Sequence, residues 1–182
     1  MHLNLAFIIF ILLFYNYLKF KFPNSAYIGK KLPINLPYIL IFLILSQITI
    51  GAFVSGLDAG QVYQSWPLMN QGYFPDDSNL RDLFSMKIFE TPSIVQFIHR
   101  NIAYFIILLF SYIATIVYMN EDFIYLRKIA LLVFISLFLQ TFLGILTVLS
   151  GAQIILASMH QIGSVFLITT SLILVFKNSK IN

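Results

Sequence analysis

Five apolar runs, Leu3–Leu18, Leu36–Gly56, Ile94–Met119, Ile129–Ser150 and Ile154–Phe176, take up most of a 182-residue chain. A helix needs roughly 20 apolar residues to cross a bilayer, and each run reaches or approaches that length. In hydrocarbon the backbone polar groups must find their partners inside the segment, so runs of this kind fold as helices. The chain is 59% hydrophobic and 10% charged, too little charge to cover a water-soluble domain. The reading is an all-α integral membrane protein in contact with membrane lipid. The absence of cysteine excludes disulfides, thiolate metal sites and iron–sulfur ligation by this chain. The net charge of +4 sits in the loops and concerns orientation; it does not point to nucleic acid.

Those loops give one consistent orientation. Lys19, Lys21, Lys30 and Lys31 share the first loop with no acid. The loop 57–93 carries Asp58, Asp76, Asp77, Asp82 and Glu90 against Arg81 and Lys87. Glu121, Asp122, Arg127 and Lys128 share a short turn, and Lys177 and Lys180 come last. The positive-inside rule then predicts a five-span, multi-pass chain with its N-terminus outside and its C-terminus in the cytoplasm. A secretory signal carries its positive charge before the apolar core. Here Met1-His2 precede the first run and Lys19 and Lys21 follow it, so that run reads as a span.

Two histidines stand inside spans. His99, within Gln96-Phe97-Ile98-His99-Arg100, and His160, within His160-Gln161-Ile162-Gly163-Ser164, each lie about a turn and a half into a run. At 1.5 Å per residue both imidazoles sit roughly 7–8 Å below the outer helix ends. A lone membrane histidine is most simply a helix–helix hydrogen bond. A pair at matching depth on two spans points to one ligand held between them, because ionisable groups in the membrane are expensive. Neutral imidazole nitrogens facing each other in a bundle core are the axial donors of a haem. His99 and His160 are therefore the candidate iron ligands. Arg100 is a candidate for a haem propionate or for snorkelling to the interface. Gln96 lies one turn before His99 and Gln161 follows His160. Gly163 and Ser164 lie on the His160 face, leaving room for a ring or for helix approach.

The second and fourth spans share a Q-x-x-x-G pattern, Gln47–Gly51 and Gln140–Gly144, and each precedes a span bearing one histidine. Two helix pairs with one ligand each make a four-helix transmembrane bundle of pseudo-two-fold symmetry, with the first span outside it. Gln47 and Gln140 read as interhelical glue. The units expected are residues 1–22, an inner loop 23–35, and a bundle 36–182 with the outer loop 57–93. In that loop Gly56 and Gly60 flank Asp58, suggesting backbone turns at the glycines and a turn-forming role for Asp58. Tyr63 and Trp66 suit the interface, and the loop is expected to fold over the outer mouth of the bundle.

These residues resemble the haem A synthase family of cytochrome oxidase assembly. The likeness is carried by Gly51-Ala52-Phe53-Val54-Ser55-Gly56-Leu57-Asp58-Ala59-Gly60, Trp66-Pro67-Leu68-Met69 and Phe89-Glu90. It continues through Val95-Gln96-Phe97-Ile98-His99-Arg100, Gln140-Thr141-Phe142-Leu143-Gly144-Ile145, Leu156-Ala157 and His160-Gln161. The family has eight spans in two similar halves. The chain resembles the C-terminal half preceded by the last span of the N-terminal half, and His2 matches a haem histidine of that earlier span. The resemblance implies haem b (iron) on His99 and His160. It implies haem O as substrate and haem A as product, a methyl group becoming a formyl group in the N-terminal half.

The first three spans of the family pattern, with a glutamate and the other first-half histidine, have no counterpart in this sequence. Gln96 stands where that first half has its glutamate, and Glu90 matches the second-half pattern, so no residue here is assigned a catalytic role. A chain carrying the missing spans, haem O synthase and an electron donor are the implied partners. The implied location is a bacterial inner membrane, or the mitochondrial inner membrane. The alternatives are a bis-histidine membrane cytochrome b carrying electrons, and a non-catalytic remnant or assembly subunit.

Overall fold

The computed structural model describes residues 2–23, 26–33 and 35–180, and of Met86 and Lys87 the backbone only. Residues 1, 24, 25, 34, 181 and 182 of the expected units lie outside it. Five helices long and apolar enough to cross a membrane account for the expected spans. They are α1 (His2–Lys21), α2 (Asn35–Gly56), α3 (Pro92–Met119), α4 (Ile124–Leu149) and α5 (Ile154–Ser179). No strand occurs among the described residues. The helices run past the apolar runs at the basic ends: α1 takes in Lys19 and Lys21, α4 begins early enough to include Arg127 and Lys128, and α5 includes Lys177. Long basic side chains allow this, because the stem stays in apolar surroundings while the charge reaches water.

The most extensive packing is α4 on α5, then α2 on α3; the pairs meet through α2 with α5 and α3 with α4. This is the four-helix bundle of two helix pairs read from the sequence, with α3 and α5 on one diagonal. Helix α1 lies outside it against α5 and α2. One half of the bundle is closed by an apolar core. Leu40 and Ile44 of α2, Phe110 and Ile113 of α3, Leu126 and Val133 of α4 and Ile168 and Leu172 of α5 are all buried there. Lipid tails are as apolar as these side chains, so the core holds by close packing, not by release of water. The outward faces remain apolar: Phe134, Phe138 and Phe142 stack in sequence along the exposed side of α4.

The loops and helix ends at the core end are stitched together. Lys30 N–H donates to Asp122 O (3.2 Å), its Nζ pairs with the Asp122 carboxylate at 2.7 Å, and Tyr125 Oη donates to Lys30 O (2.9 Å). The hydrogen bond to Asp122 holds the Lys30 ammonium above its ordinary pKa. The buried amide of Asn178 clamps the Leu32 backbone, accepting from its N–H (2.8 Å) and donating to its carbonyl (3.4 Å). The α1–α2 loop is thereby fastened to the start of α4 and the end of α5.

At the opposite end, α4 turns into α5 within four residues. Gly151 takes φ 65°. Its N–H donates to Val148 O (3.1 Å) and Ala152 N–H to Thr147 O (2.8 Å), the paired bonds of a Schellman stop. The long loop folds back on this end, as expected, with Ala59, Tyr63 and Met69 buried. Its backbone differs from expectation. Neither Gly56 nor Gly60 has positive φ; the left-handed position is Asp58 itself, at φ 51°, and its side chain caps nothing. Aspartate tolerates that conformation. Gly60 is small for a different reason: a methyl group there would meet the Ala152 Cβ at 3.0 Å.

Gly29 is the tightest point of the stitched loop. It takes φ 153°, and a Cβ would press on the Asp122 carbonyl and come within 2.9 Å of the Tyr125 ring. Gly29→Ala is expected to cost about 1–3 kcal/mol, read as a lower melting temperature in detergent. Ile28→Ala, at a fully exposed neighbour, should leave the melting temperature unchanged.

Candidate functional site

His99 and His160 meet across the α3–α5 diagonal in the half of the bundle away from the apolar core. Their ring centres are 6.4 Å apart and the ring planes cross at 74°. Each ring is brought there by the helix paired with its own. A methyl group on Gly51 would stand 3.2 Å from His99 Cε1, and one on Gly144 would stand 3.0 Å from His160 Cε1. These are the glycines of the Q-x-x-x-G repeat. A Cβ at either position would crowd the imidazole and make it give way by a few tenths of an ångström.

The glutamines of the repeat hold the same rings. Gln47 Nε2 lies 3.2 Å from His99 Nε2, and Gln140 Nε2 lies 3.4 Å from His160 Nε2. An amide N–H donates, so each Nε2 presents its lone pair. His160 has two further ties: its Nδ1 donates to the Gln140 backbone carbonyl (3.1 Å), and Gln140 Nε2 also donates to His160 O (2.9 Å). His99 has no counterpart of these, and its Nδ1 is buried without a partner. Gly163, expected to make room for a ring, makes room for the Gln140 amide oxygen. Ser164 is buried and donates to Gln161 O (2.6 Å).

Arg100 and Gln96 turn to the loop. Arg100 donates through Nη2 to Tyr63 O (3.0 Å) and through Nη1 to Leu68 O (3.3 Å), and Gln96 Nε2 donates to Tyr63 O (2.9 Å). Arg100 is 9% exposed and its Nε has no partner. Tyr63 is fixed in turn through its phenol, which donates to Asp77 Oδ1 (3.1 Å) and accepts from Asp76 N–H (3.1 Å). Burial pushes that phenol's pKa up. Trp66 is exposed, and Gln64 lies over Gly151 in the α4–α5 turn.

His2 opens α1, is exposed, and does not join the pair. Gln161 faces a groove of about 370 Å³ between α1 and α5, lined also by Leu3, Phe7, Ser158, Ile162 and Val165. Among the described residues no group of three or more His, Cys, Asp or Glu could hold a metal ion. What the site offers is two neighbouring imidazoles inside the bundle, each with its Nε2 against the glutamine of the adjoining helix. The sequence had singled out the histidines and the Q-x-x-x-G pattern. It had not shown that the glycines seat the rings or that Arg100 and Gln96 share one loop carbonyl; a buried arginine beside a histidine was the only signal.

The family described as cytochrome oxidase assembly protein matches residues 1–172. The Heme A synthase of Pelagibacter ubique (strain HTCC1062) is 38% identical over 182 residues, covering 98% of this chain and 52% of that protein. The Heme A synthase of Rickettsia rickettsii (strain Sheila Smith) is 36% identical over 174 residues, covering 92% of this chain and 50% of that protein. The chain thus spans about half the length of the curated relatives it matches. No solved structure matches it.

Arg100→Ala removes two charged donors from buried loop carbonyls. The loop around residues 63–69 is expected to open more readily by on the order of 2 kcal/mol, roughly thirtyfold faster amide exchange. Hydrogen-exchange mass spectrometry of the purified protein reads this directly, with amides of the apolar core as the internal reference.

Proposed function

Since the chain belongs to the cytochrome oxidase assembly protein family, we propose that it supplies the haem b-binding half of a haem A synthase, with His99 and His160 as the axial ligands. The observation that carries this reading is the separation of the two rings. Metal–imidazole bonds are about 2 Å and a ring centre lies about 1 Å beyond its nitrogen, so two imidazoles gripping one metal in line stand roughly 6 Å apart. The separation found is 6.4 Å. Each Nε2 faces the glutamine amide of its neighbouring helix, a contact that binding a metal through Nε2 would replace, and each ring lies against a glycine. The buried Arg100 Nε, without a partner, is the donor left for a propionate. A haem closed on both axial faces passes single electrons and does not itself bind dioxygen.

The reaction proposed for the assembled protein is oxidation of the haem O methyl group to the formyl of haem A. The relatives carrying that name are about twice as long as the segment matched here. This chain's contribution is the electron-carrying or stiffening haem b site, and the methyl oxidation falls to the half of those relatives that this segment does not match. Haem O synthase and an electron donor are the further partners. His2, at the start of α1, is assigned to the adjoining half and not to this pair. In the bacterial inner membrane, the stitched lysine end faces the cytoplasm and the acidic long loop faces outward, following the positive-inside rule.

Purified protein supplied with haem is expected to show a six-coordinate, low-spin haem b spectrum, absent from the double variant His99→Ala/His160→Ala. A wild-type protein that takes up no haem would sink the reading. Loss of haem A from membranes after deletion would tie the site to haem A formation; unchanged haem A with the haem b signal intact would favour a simple membrane cytochrome.

The cysteine-free sequence gives a direct test of orientation. A membrane-impermeant thiol reagent added to intact cells should label Ser65→Cys and spare Lys31→Cys, and the reverse pattern would invert the proposed topology.

A further inference from the structure

The two histidines are related by a repeat yet held unequally. At His160 every polar contact agrees on one state of the ring. Nδ1 faces a backbone carbonyl, which only accepts, so Nδ1 carries the proton. Nε2 faces an amide nitrogen, which only donates, so Nε2 carries the lone pair. That amide cannot be turned over, because the same nitrogen donates to His160 O and an oxygen in its place would face that carbonyl. At His99 the sole polar contact is the Gln47 amide. The Gln47 Oε1 and the His99 Nδ1 are both buried and unpartnered. Turning the Gln47 amide over would place an acceptor against Nε2 and move the ring proton there, with no carbonyl to oppose it. Packing follows the same asymmetry. On the α4–α5 side Gly144 receives the imidazole and Gly163 receives the Gln140 amide; the position matching Gly163 on α3 is Ile102.

We propose that His160 is the fixed axial ligand and His99 the exchangeable one, with Gln47 as the residue that positions it. The inference rests on the haem reading above. An imidazole whose second nitrogen donates to a carbonyl is oriented and made a stronger donor. His160 has that support and His99 lacks it. Release of His99 leaves an uncharged ring that Gln47 alone can hold, and opens one face of the site toward the α2–α3 pair while His160 keeps its grip.

The test uses the full chain titrated with haemin in detergent. His99→Gly is expected to keep haem in a high-spin form that returns to low spin when free imidazole is added. His160→Gly is expected to lose roughly tenfold or more in haem affinity relative to His99→Gly. Equal retention, equal loss, or the reverse order would overturn the inference. Gln47→Ala and Gln140→Ala keep both ligands and guard against misfolding of the glycine variants. Carbon monoxide should bind the ferrous haem of Gln47→Ala about tenfold more slowly than that of Gln140→Ala, because the released His99 ring then loses the one hydrogen bond that holds it away from the haem. Equal rates would also overturn it. Wild type that takes up no haem removes the haem reading and this inference together; wild type that loads normally beside indistinguishable variants removes only the inference.

Discussion

An imidazole can press close to the backbone of a neighbouring helix only where that helix has no Cβ. Gly51 and Gly144 meet this requirement at equivalent points of α2 and α4, and the rest of the site follows from it. With the rings seated, His99 and His160 extend inward from α3 and α5 and come within 6.4 Å of each other between ring centres. The same close approach makes α2–α3 and α4–α5 the tight pairs of the bundle. Small residues at a membrane helix interface usually serve backbone packing alone. Here they also set how close the two imidazoles come to the neighbouring helices.

The two halves of the bundle differ in what fills them. Near the lysine end, apolar side chains from all four helices fill the interior, and the α1–α2 loop is tied across the helix ends through Lys30, Asn178 and Tyr125. Near the long loop the interior becomes polar, with Gln47, Gln140 and the two histidines in place of leucine and isoleucine. Unpaired buried polar atoms gather in this half: His99 Nδ1, Gln47 Oε1, Gln140 Oε1, Gln96 Oε1 and Arg100 Nε. Each such atom costs about 1–3 kcal/mol. That cost is carried by a bundle braced at its other end.

The five long apolar helices and the meeting of two histidines from different helices were legible because the bilayer imposes length and composition directly on the sequence. Helix ends were less so: Arg127, Lys128 and Lys177 look like loop residues, yet their stems let the helices continue. Depth also says nothing about which way a side chain points around its helix. Arg100 and Gln96 flank His99 in sequence and were read with it, but both serve Tyr63 of the loop. Asp58 misled in a similar way, since the glycines around it looked like the turn-makers while the aspartate itself takes the left-handed conformation. Asn178 gave a fainter signal, one amide near the end of an apolar helix; its partner, the Leu32 backbone 146 positions earlier, could be found only from the fold.

The Schellman stop between α4 and α5 bears on how such a chain can vary. Its bonds fix the phase of one helix against the other, with only Gly151, Ala152 and Gln153 from α4's last cap to α5's first turn. An insertion or deletion of one residue between Gly144 and His160 would swing the later helix by about 100° about its axis, carrying His160 off its glycine and toward lipid. The stretch between Gly51 and His99 is longer and runs through a separately folded loop, which can absorb a change in length without rotating α3. Drift in length can therefore accumulate on one side of the pseudo-symmetric pair, while the hairpin opposite keeps a constant residue count.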